Sequence, residues 1–180
     1  MTDHAVYFYE DDAFLIDNVA HFVKAGLDKD ETVIVVATED HRIDLKARLT
    51  AENVIGLSAP ADARYLTLDA ASTLSLFMLN DWPEERLFLK VIGQIISASA
   101  QDRPVRIYGE MVAVLWAHGK QQAAIRLEQL WNTLAAQQQF SLLCGYPASE
   151  FEHAALIPAL EEVCACHSHV TGRRTSQRAA

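Results

Sequence analysis

A lone acidic residue, Glu110, stands directly after Gly109 at the end of an apolar segment, residues 105–108. This segment and residues 141–146 are predicted strands, and the amphipathic run between them is a predicted helix, which together give a βαβ unit. Open parallel sheets bind their ligands in the crevice outside the carboxyl ends of the strands. Glu110 is therefore a candidate polar anchor for a ligand. The alternative is a structural role, in which Glu110 caps a helix or pairs with a basic group.

Other residues near predicted strand ends could contribute to the same site. Tyr9 and Glu10 end the first apolar segment and Tyr146 ends the last one, so their polar groups could reach the crevice. Cys144 and Trp116 could supply an apolar wall, although ordinary core packing is the alternative for these side chains. No catalytic residue is predicted. The predicted ligand-binding residues are Tyr9, Glu10, Glu110, Trp116, Cys144 and Tyr146.

Residues 164–169 (CACHSH) contain ligand types that suit a soft metal ion. A structural zinc site normally brings ligand pairs together from two elements. Neighbours this close on one helix point to different sides, and Cys144 would have to come from elsewhere. We therefore predict no metal site and no cofactor. His4 is predicted to be a solvated residue before the first strand, and His41 has no partner spacing that indicates a catalytic pair.

Apolar segments alternate with helical patterns along the chain, which predicts an α/β fold: a single domain with a mainly parallel sheet and helices on both faces. Residues 32–38 are β-branched and apolar throughout, which is typical of a strand that is covered on both sides. The five predicted strands are residues 5–9, 32–38, 64–68, 105–108 and 141–146.

Local patterns predict two further helices. Residues 80–84 have a helix-start pattern, with Asp81 as the cap, Pro83 in the first turn and Glu84 three residues after the cap. After Glu110, one long helical run extends to Gln137. Its apolar face carries Ala123, Leu127, Leu130, Trp131 and Leu134, whereas Arg126, Glu128, Gln129 and Asn132 are predicted to lie off that face.

Composition restricts the class of protein. The chain has 180 residues, of which 51% are hydrophobic and 22% charged, as is typical of one globular domain. The net charge of −9 disfavours direct binding to nucleic acid or to an anionic membrane. No segment has the pattern of a signal peptide or of a membrane-spanning helix. The three cysteines do not make a disulfide framework, so a cytoplasmic protein is expected.

The turn after the first predicted strand disfavours phosphate binding. A P-loop has a glycine-rich turn that ends in Gly-Lys-Ser/Thr at this place. Here Tyr9 is followed by Glu10, Asp11 and Asp12, whose charges repel a triphosphate, and the turn has no lysine to neutralise it. The sequence also lacks the G-x-G-x-x-G fingerprint and the G-x-S-x-G nucleophile elbow.

Several segments are weak indicators of a protein family when taken singly, but they are specific in combination. They are residues 4–10 (HAVYFYE), 108–112 (YGEMV), 115–119 (LWAHG), 126–131 (RLEQLW), 143–147 (LCGYP) and 167–170 (HSHV). Together they resemble the MEDS domain, the methanogen/methylotroph, dichloromethane-regulator sensory domain, over roughly residues 4–170.

This resemblance implies a RecA-like or KaiC-like fold that has lost its nucleotide-binding loop. It also implies a non-enzymatic sensory module, formed by residues 1–170, with a small hydrocarbon-derived molecule as ligand. Residues 171–180, which contain Arg173, Arg174 and Arg178, are predicted to be a flexible tail. The implied partner is a histidine kinase, a response regulator or a transcription factor. Two alternatives stay open: a degenerate RecA-like nucleotide-binding protein, and a protein-interaction adaptor without a ligand.

Overall fold

The computed structural model describes residues 3–56, 64–100, 102–151 and 154–172. The first part of the chain contains β1 (His4–Tyr9), α1 (Asp12–Asp28), β2 (Thr32–Ala37), α2 (Glu39–Ala51), β3 (Tyr65–Asp69), α3 (Ala70–Ser75), β4 (Met78–Leu79), β5 (Trp82–Pro83) and α4 (Glu85–Ala100). The second part contains β6 (Val105–Gly109), α5 (Met111–Ala117), α6 (Gln121–Ala135), β7 (Ser141–Pro147), α7 (Ile157–Ala165) and β8 (His169–Thr171). Two short 3-10 helices, Ala148–Phe151 and Ala154–Leu156, precede α7.

Six strands form one parallel sheet in the order β3-β2-β6-β7-β1-β8. The predicted βαβ unit is confirmed, because β6 and β7 are parallel neighbours with Gly109 opposite Cys144. All five predicted strands are present, and β3 begins one residue later than predicted, at Tyr65. The predicted single-domain α/β fold with a parallel sheet between helices is therefore confirmed.

The sheet separates two apolar cores. Helices α1 and α2 cover one face, where Tyr108 and Leu143 point. Helices α3 to α7 cover the other face, where Ile107, Cys144 and Tyr146 point. Successive residues of a strand face opposite sides of a sheet. Two neighbouring residues at a strand end can therefore belong to different sites.

The segment around residue 80 is a hairpin, so the predicted helix start at Asp81 is wrong. Strands β4 and β5 pair antiparallel, and Asn80 and Asp81 form the turn between them with φ of 50° and 64°. Asparagine and aspartate tolerate this left-handed backbone, which tight hairpin turns require. Helix α4 begins after Glu84, whose carboxylate accepts a hydrogen bond from the Leu87 backbone N–H at 2.6 Å.

The long helix predicted after Glu110 is two helices. Helix α5 ends at Ala117 and α6 begins at Gln121, with Gly119 between them at φ of 72°. A glycine in this conformation typically ends a helix, because it has no Cβ to oppose the left-handed backbone. The short strand β8 was not predicted, since three exposed residues carry too little pattern to identify a strand.

Some predictions fall on parts of the chain that the structure does not describe. Of the predicted tail at residues 171–180, only residues 171 and 172 are described, and Thr171 ends β8. Residues 57–63, between α2 and β3, also lie outside the described residues. Within residues 3–56, 64–100, 102–151 and 154–172, no helix is both long and apolar enough to cross a membrane.

Candidate functional site

Glu110 lies at the carboxyl end of β6 with its carboxylate buried among polar partners. One carboxylate oxygen, Oε1, accepts a hydrogen bond from the Tyr108 hydroxyl at 2.8 Å and lies 2.8 Å from His41 Nδ1. The other, Oε2, accepts a hydrogen bond from the Thr38 backbone N–H at 2.9 Å. We call these four groups the Glu110 cluster. Glu110 does not cap α5 through its side chain; instead it pairs with a basic group, His41, as the structural alternative predicted.

A glycine on the neighbouring strand makes room for this arrangement. A Cβ placed on Gly145 of β7 would lie 2.6 Å from the Tyr108 hydroxyl oxygen, which is shorter than any ordinary contact. Because Gly145 has no side chain, the Tyr108 ring can lie across β7 and direct its hydroxyl to Glu110. Burial, together with the charge of Glu110, raises the pKa of Tyr108 well above its usual value, so the phenol stays protonated and donates.

His41 connects the Glu110 cluster to the surface. It lies in the first turn of α2, its side chain is 14% exposed, and its Nε2 lies 3.4 Å from an Asp12 carboxylate oxygen. The hydrogen bond to Glu110 raises the pKa of His41 from 6.5, burial opposes this shift, and the charges of Glu110 and Asp12 add to it. The protonated imidazole is therefore favoured beside the buried carboxylate.

The contact between His41 and Glu110 predicts a pH-dependent stability. Because the folded-state pKa of His41 is raised above 6.5, the contact stabilises the fold fully below pH 6.5, and this contribution is lost as the pH rises through the folded-state pKa. We expect His41→Gln to destabilise the protein more at pH 6 than at pH 9, by about 0.5–1 kcal/mol. Urea denaturation at both pH values measures this difference.

NMR titration of the His41 ring provides the matched control. In Glu110→Gln, the ring should titrate closer to 6.5, because the charge that favours its protonation is gone. A destabilisation by His41→Gln that is equal at both pH values would contradict the prediction.

A second polar cluster lies on the opposite face of the sheet, around Glu128 of α6. Glu128 is fully buried, and its Oε1 accepts a hydrogen bond from the Tyr146 hydroxyl at 2.9 Å. Its Oε2 lies 3.2 Å from His4 Nε2, 3.4 Å from Cys144 Sγ and 3.5 Å from His167 Nε2. We call these five residues the Glu128 cluster. They come from β1, α6, β7 and the turn after α7.

The titratable groups of the Glu128 cluster shift one another's pKa values. Burial alone would raise the pKa of Glu128, but His167 and His4 hold it well below its usual range. For His167, burial lowers the pKa and Glu128 raises it, and the net shift is upward. Burial and the Glu128 charge raise the pKa of both the Cys144 thiol and the Tyr146 phenol. Without a bound cation, Glu128 is thus ionised while the thiol and the phenol stay protonated.

Four members of this cluster carry atoms that can bind a metal ion. His4, Glu128, Cys144 and His167 each offer one ligand atom, and these atoms all lie within 4.8 Å of one another. The sequence analysis weighed a different set of possible metal ligands, residues 164–169, and only His167 of that set belongs to this group. His169 is exposed and lies near Asp3, with 3.4 Å between its Nε2 and a carboxylate oxygen.

Two predictions about these residues are wrong. His4 was expected to be solvated but is 4% exposed, because its side chain packs under α6 beside His167. Glu128 was expected to lie off the apolar face of its helix but is buried with it. Its neighbours one turn away, Ala124 and Trp131, are apolar and fully buried. These neighbours could have revealed the position of Glu128, because residues at i−4 and i+3 share its side of the helix.

The six predicted ligand-binding residues do not form one site. Glu110 and Tyr9 lie on the α1/α2 side of the sheet, and the Tyr9 ring meets the His41 ring edge-on. Cys144 and Tyr146 lie on the other side, in the Glu128 cluster, and Trp116 packs there against Tyr146 and Phe151. Glu10 is exposed after the end of β1.

In the turn after β1, a carboxylate of the chain itself occupies the place where a phosphate would bind. Asp11 caps α1, because one of its carboxylate oxygens accepts a hydrogen bond from the Phe14 backbone N–H at 2.9 Å. The amide that a phosphate would use at this helix N-terminus is thus occupied, and Glu10 and Asp12 add exposed negative charge beside it.

Comparison with models of protein families identifies one family that covers most of the chain. A family model described as MEDS, the methanogen/methylotroph, DcmR sensory domain, matches residues 3–168. The chain belongs to the MEDS family. A search of curated proteins finds no match to this MEDS domain. MEDS is a family of sensory domains, so the expected sensory class agrees with the membership.

This MEDS domain also has a groove between α3 and α5, beyond the carboxyl ends of β3 and β6. We call it the α3–α5 groove; its volume is about 230 Å³. An ion pair between Lys120 and Asp81, with 2.6 Å between Nζ and a carboxylate oxygen, joins the β4–β5 turn to the start of α6 at its rim. The residues that line it are Ala71, Leu74, Ser75, Met78, Asp81, Val114, Leu115, His118 and Lys120. Sequence patterns did not indicate this groove, because its two walls come from helices about 40 residues apart.

Proposed function

We propose that this MEDS domain is a non-enzymatic cytoplasmic sensory module. It binds a small organic molecule in the α3–α5 groove and passes the bound state to a partner protein. The observation that carries this proposal is the character of the groove: its exposed lining is mostly apolar, with Leu74, Met78 and Val114 among the residues that form it. A volume of about 230 Å³ suits a small hydrocarbon derivative rather than a nucleotide.

The groove is connected to the buried carboxylate through α5. Helix α5 supplies Val114 and Leu115 to the groove, and its first turn begins at Glu110, whose backbone carbonyl accepts a hydrogen bond from the Val114 N–H at 3.0 Å. A ligand that moves α5 therefore acts on the Glu110 cluster, and through His41 on the start of α2. In this proposal, Glu110 positions a helix and does not contact the ligand.

The other wall offers a route to a partner. Met78 lines the groove, and the next residue, Leu79, is 53% exposed because neighbouring strand residues point to opposite sides. Leu76 and Trp82 of the same segment are also exposed. A ligand that shifts Met78 would alter this apolar surface. A histidine kinase, a response regulator or a transcription factor would read the change there.

Nucleotide binding is the weaker alternative. The turn after β1 holds Glu10, Asp11 and Asp12, and Asp11 already occupies the N-terminal amide of α1. Each contact between a phosphate and a carboxylate at about 4 Å costs on the order of 1–4 kcal/mol.

The second alternative is a protein-interaction adaptor without a ligand. It would bind a partner through the exposed apolar surface and would not use the groove. The cytoplasmic assignment is supported by the absence of disulfide bonds among Cys144, Cys164 and Cys166.

Ligand binding is tested by titrating the protein with dichloromethane, methanol and methylamine while recording methyl NMR spectra. We expect at least one of them to shift the methyl signals of Leu74, Met78 and Val114. Val114→Phe fills the groove and should weaken that affinity about ten- to hundred-fold, since roughly 60–120 Å² of apolar contact is lost.

Ile43→Phe is the matched control, because it adds the same ring at an exposed position of α2 on the opposite face of the sheet. Its affinity should equal that of the unaltered protein. Binding that survives Val114→Phe would place the ligand elsewhere. Micromolar binding of magnesium-ATP that is lost in Asp11→Lys would favour the nucleotide alternative instead, and native mass spectrometry of freshly purified protein would reveal any co-purifying molecule.

A further inference from the structure

We propose that His4, Glu128, Cys144 and His167 bind one divalent zinc ion in the interior of the domain. The four residues come from four separate elements, and all four side chains are buried. The proposal departs from the sequence prediction of no metal site, which rested on residues 164–169 alone. It does not depend on the ligand of the α3–α5 groove.

The spacing of the four atoms suits a tetrahedral ion. Zinc binds imidazole nitrogen and carboxylate oxygen at about 2.0–2.2 Å and thiolate sulfur at about 2.3 Å, so its ligand atoms lie roughly 3.3–3.7 Å apart. In this structure, His4 Nε2 lies 3.2 Å from Glu128 Oε2 and 3.5 Å from Cys144 Sγ. Glu128 Oε2 lies 3.4 Å from Cys144 Sγ and 3.5 Å from His167 Nε2. These four separations match four of the six edges of a tetrahedron of the right size, and all six separations are within 4.8 Å.

Hydrogen bonds outside the cluster orient both imidazole rings for metal binding. Nδ1 of His4 lies 3.0 Å from the Asn132 side-chain oxygen, and Asn132 is itself fixed because its Nδ2 donates to the Cys166 carbonyl. Nδ1 of His167 donates to the Val163 carbonyl at 2.6 Å. A ring that donates through Nδ1 has, when neutral, its free lone pair on Nε2. Both lone pairs then point into the cluster, as metal-binding histidines require.

One buried nitrogen atom of the cluster is available to bind a cation. His167 Nε2 is buried and makes no hydrogen bond among the described residues. With neutral rings, the lone pairs of both Nε2 atoms would face the Glu128 carboxylate without a proton between them. A zinc ion at the centre would accept both lone pairs, and the Tyr146 hydroxyl already turns Glu128 so that Oε2 is directed inward.

Charge balance also favours a divalent ion. On binding, the Cys144 thiol loses its proton to solvent, because the thiolate is the metal ligand, and any proton on a histidine Nε2 leaves too. The buried site then contains Zn²⁺, one carboxylate, one thiolate and two neutral imidazoles, with no net charge. Four protein ligands leave no open position, which is typical of a structural zinc site. The ion would fasten the turn after α7 to β1, β7 and α6.

The test measures zinc in the purified 180-residue chain and cobalt(II) binding after removal of the metal. Elemental analysis should give about one zinc per chain. Cobalt(II) should give the intense visible bands of a tetrahedral ion together with a thiolate-to-cobalt charge-transfer band in the near ultraviolet. Cys144→Ser and His167→Gln should each lose zinc, and Cys144→Ser should also lose the charge-transfer band.

Two further variants make the test specific. Cys166→Ser replaces a nearby cysteine outside the four ligands, so it should retain zinc and the cobalt spectrum. Asn132→Ala removes the partner of His4 Nδ1 and should weaken zinc affinity about 10–100-fold, as measured by competition with a chelator. Since both keep all four ligands, they remain informative even if the ligand variants fail to fold.

Three results would overturn the proposal. The first is unaltered protein that holds almost no zinc and whose cobalt(II) titration gives no tetrahedral spectrum. The second is zinc that is lost in Cys166→Ser but kept in Cys144→Ser, which would move the site to residues 164–169. The third is a bound cobalt ion without thiolate charge transfer, which would exclude Cys144 as a ligand.

Discussion

Glu128→Ala is expected to lower the free energy of unfolding of the metal-free protein by about 3–5 kcal/mol, because it leaves two buried histidines without their charged partner. His4 and His167 both lie within 3.5 Å of the Glu128 carboxylate, and Glu128 itself is fully buried. The substitution also removes the acceptor of the Tyr146 hydroxyl hydrogen bond. A loss of this size is a large share of the roughly 5–15 kcal/mol that stabilises a typical domain. Urea denaturation in the presence of a chelator measures it.

Gln129→Ala is the matched control for Glu128→Ala. Gln129 is the next residue of α6 and is exposed, so its replacement should change stability by no more than about 0.5 kcal/mol. Glu128→Gln should fall between the two, because the amide oxygen can still accept from Tyr146 while the charge is lost. If Glu128→Ala is as stable as Gln129→Ala, the Glu128 cluster contributes nothing to the fold.

The arrangement of the fold could be predicted because each element carries its own pattern. Residues 32–38 are apolar on both faces, which identifies β2 as a central strand, and the helical stripe of α6 ends in polar residues before β7. The break between α5 and α6 and the β4–β5 hairpin were missed. Both depend on single residues with left-handed backbone, namely Gly119, Asn80 and Asp81. A helical period continues through such residues without interruption, so periodicity alone does not detect them.

The Glu128 cluster could not be predicted for a different reason. His4 and Glu128 are 124 positions apart, and no spacing along one element connects them. Only the sheet order, in which β1 lies beside β7, brings His4 close to Cys144. Glu110 was named as a candidate site residue because it follows the end of a predicted strand, and that signal is local. Its partner His41 was not, because its place at the start of α2 matters only once β2 and β6 are known to be neighbours.

Trp116→Ala is expected to destabilise the protein by about 3–5 kcal/mol, because it leaves a cavity that the surrounding core cannot fill. Trp116 is 1% exposed and packs against two other rings, with its centroid 5.7 Å from that of Tyr146 and 4.5 Å from that of Phe151. Since Tyr146 also holds Glu128, the loss of this packing reaches the Glu128 cluster. Denaturation followed by circular dichroism measures the change.

Trp116→Phe and Trp82→Ala separate the contributions to this loss. The indole N–H of Trp116 is buried and makes no hydrogen bond among the described residues, so phenylalanine removes an unsatisfied donor that costs about 1–3 kcal/mol when buried. That gain offsets part of the lost volume, and Trp116→Phe should retain most of the stability. Trp82 is 47% exposed, so the same truncation to alanine there should change stability by about 0.5 kcal/mol or less. A Trp116→Phe variant as unstable as Trp116→Ala would mean that the indole N–H has a partner, such as an ordered water, and that polar contact rather than ring volume stabilises this part of the core.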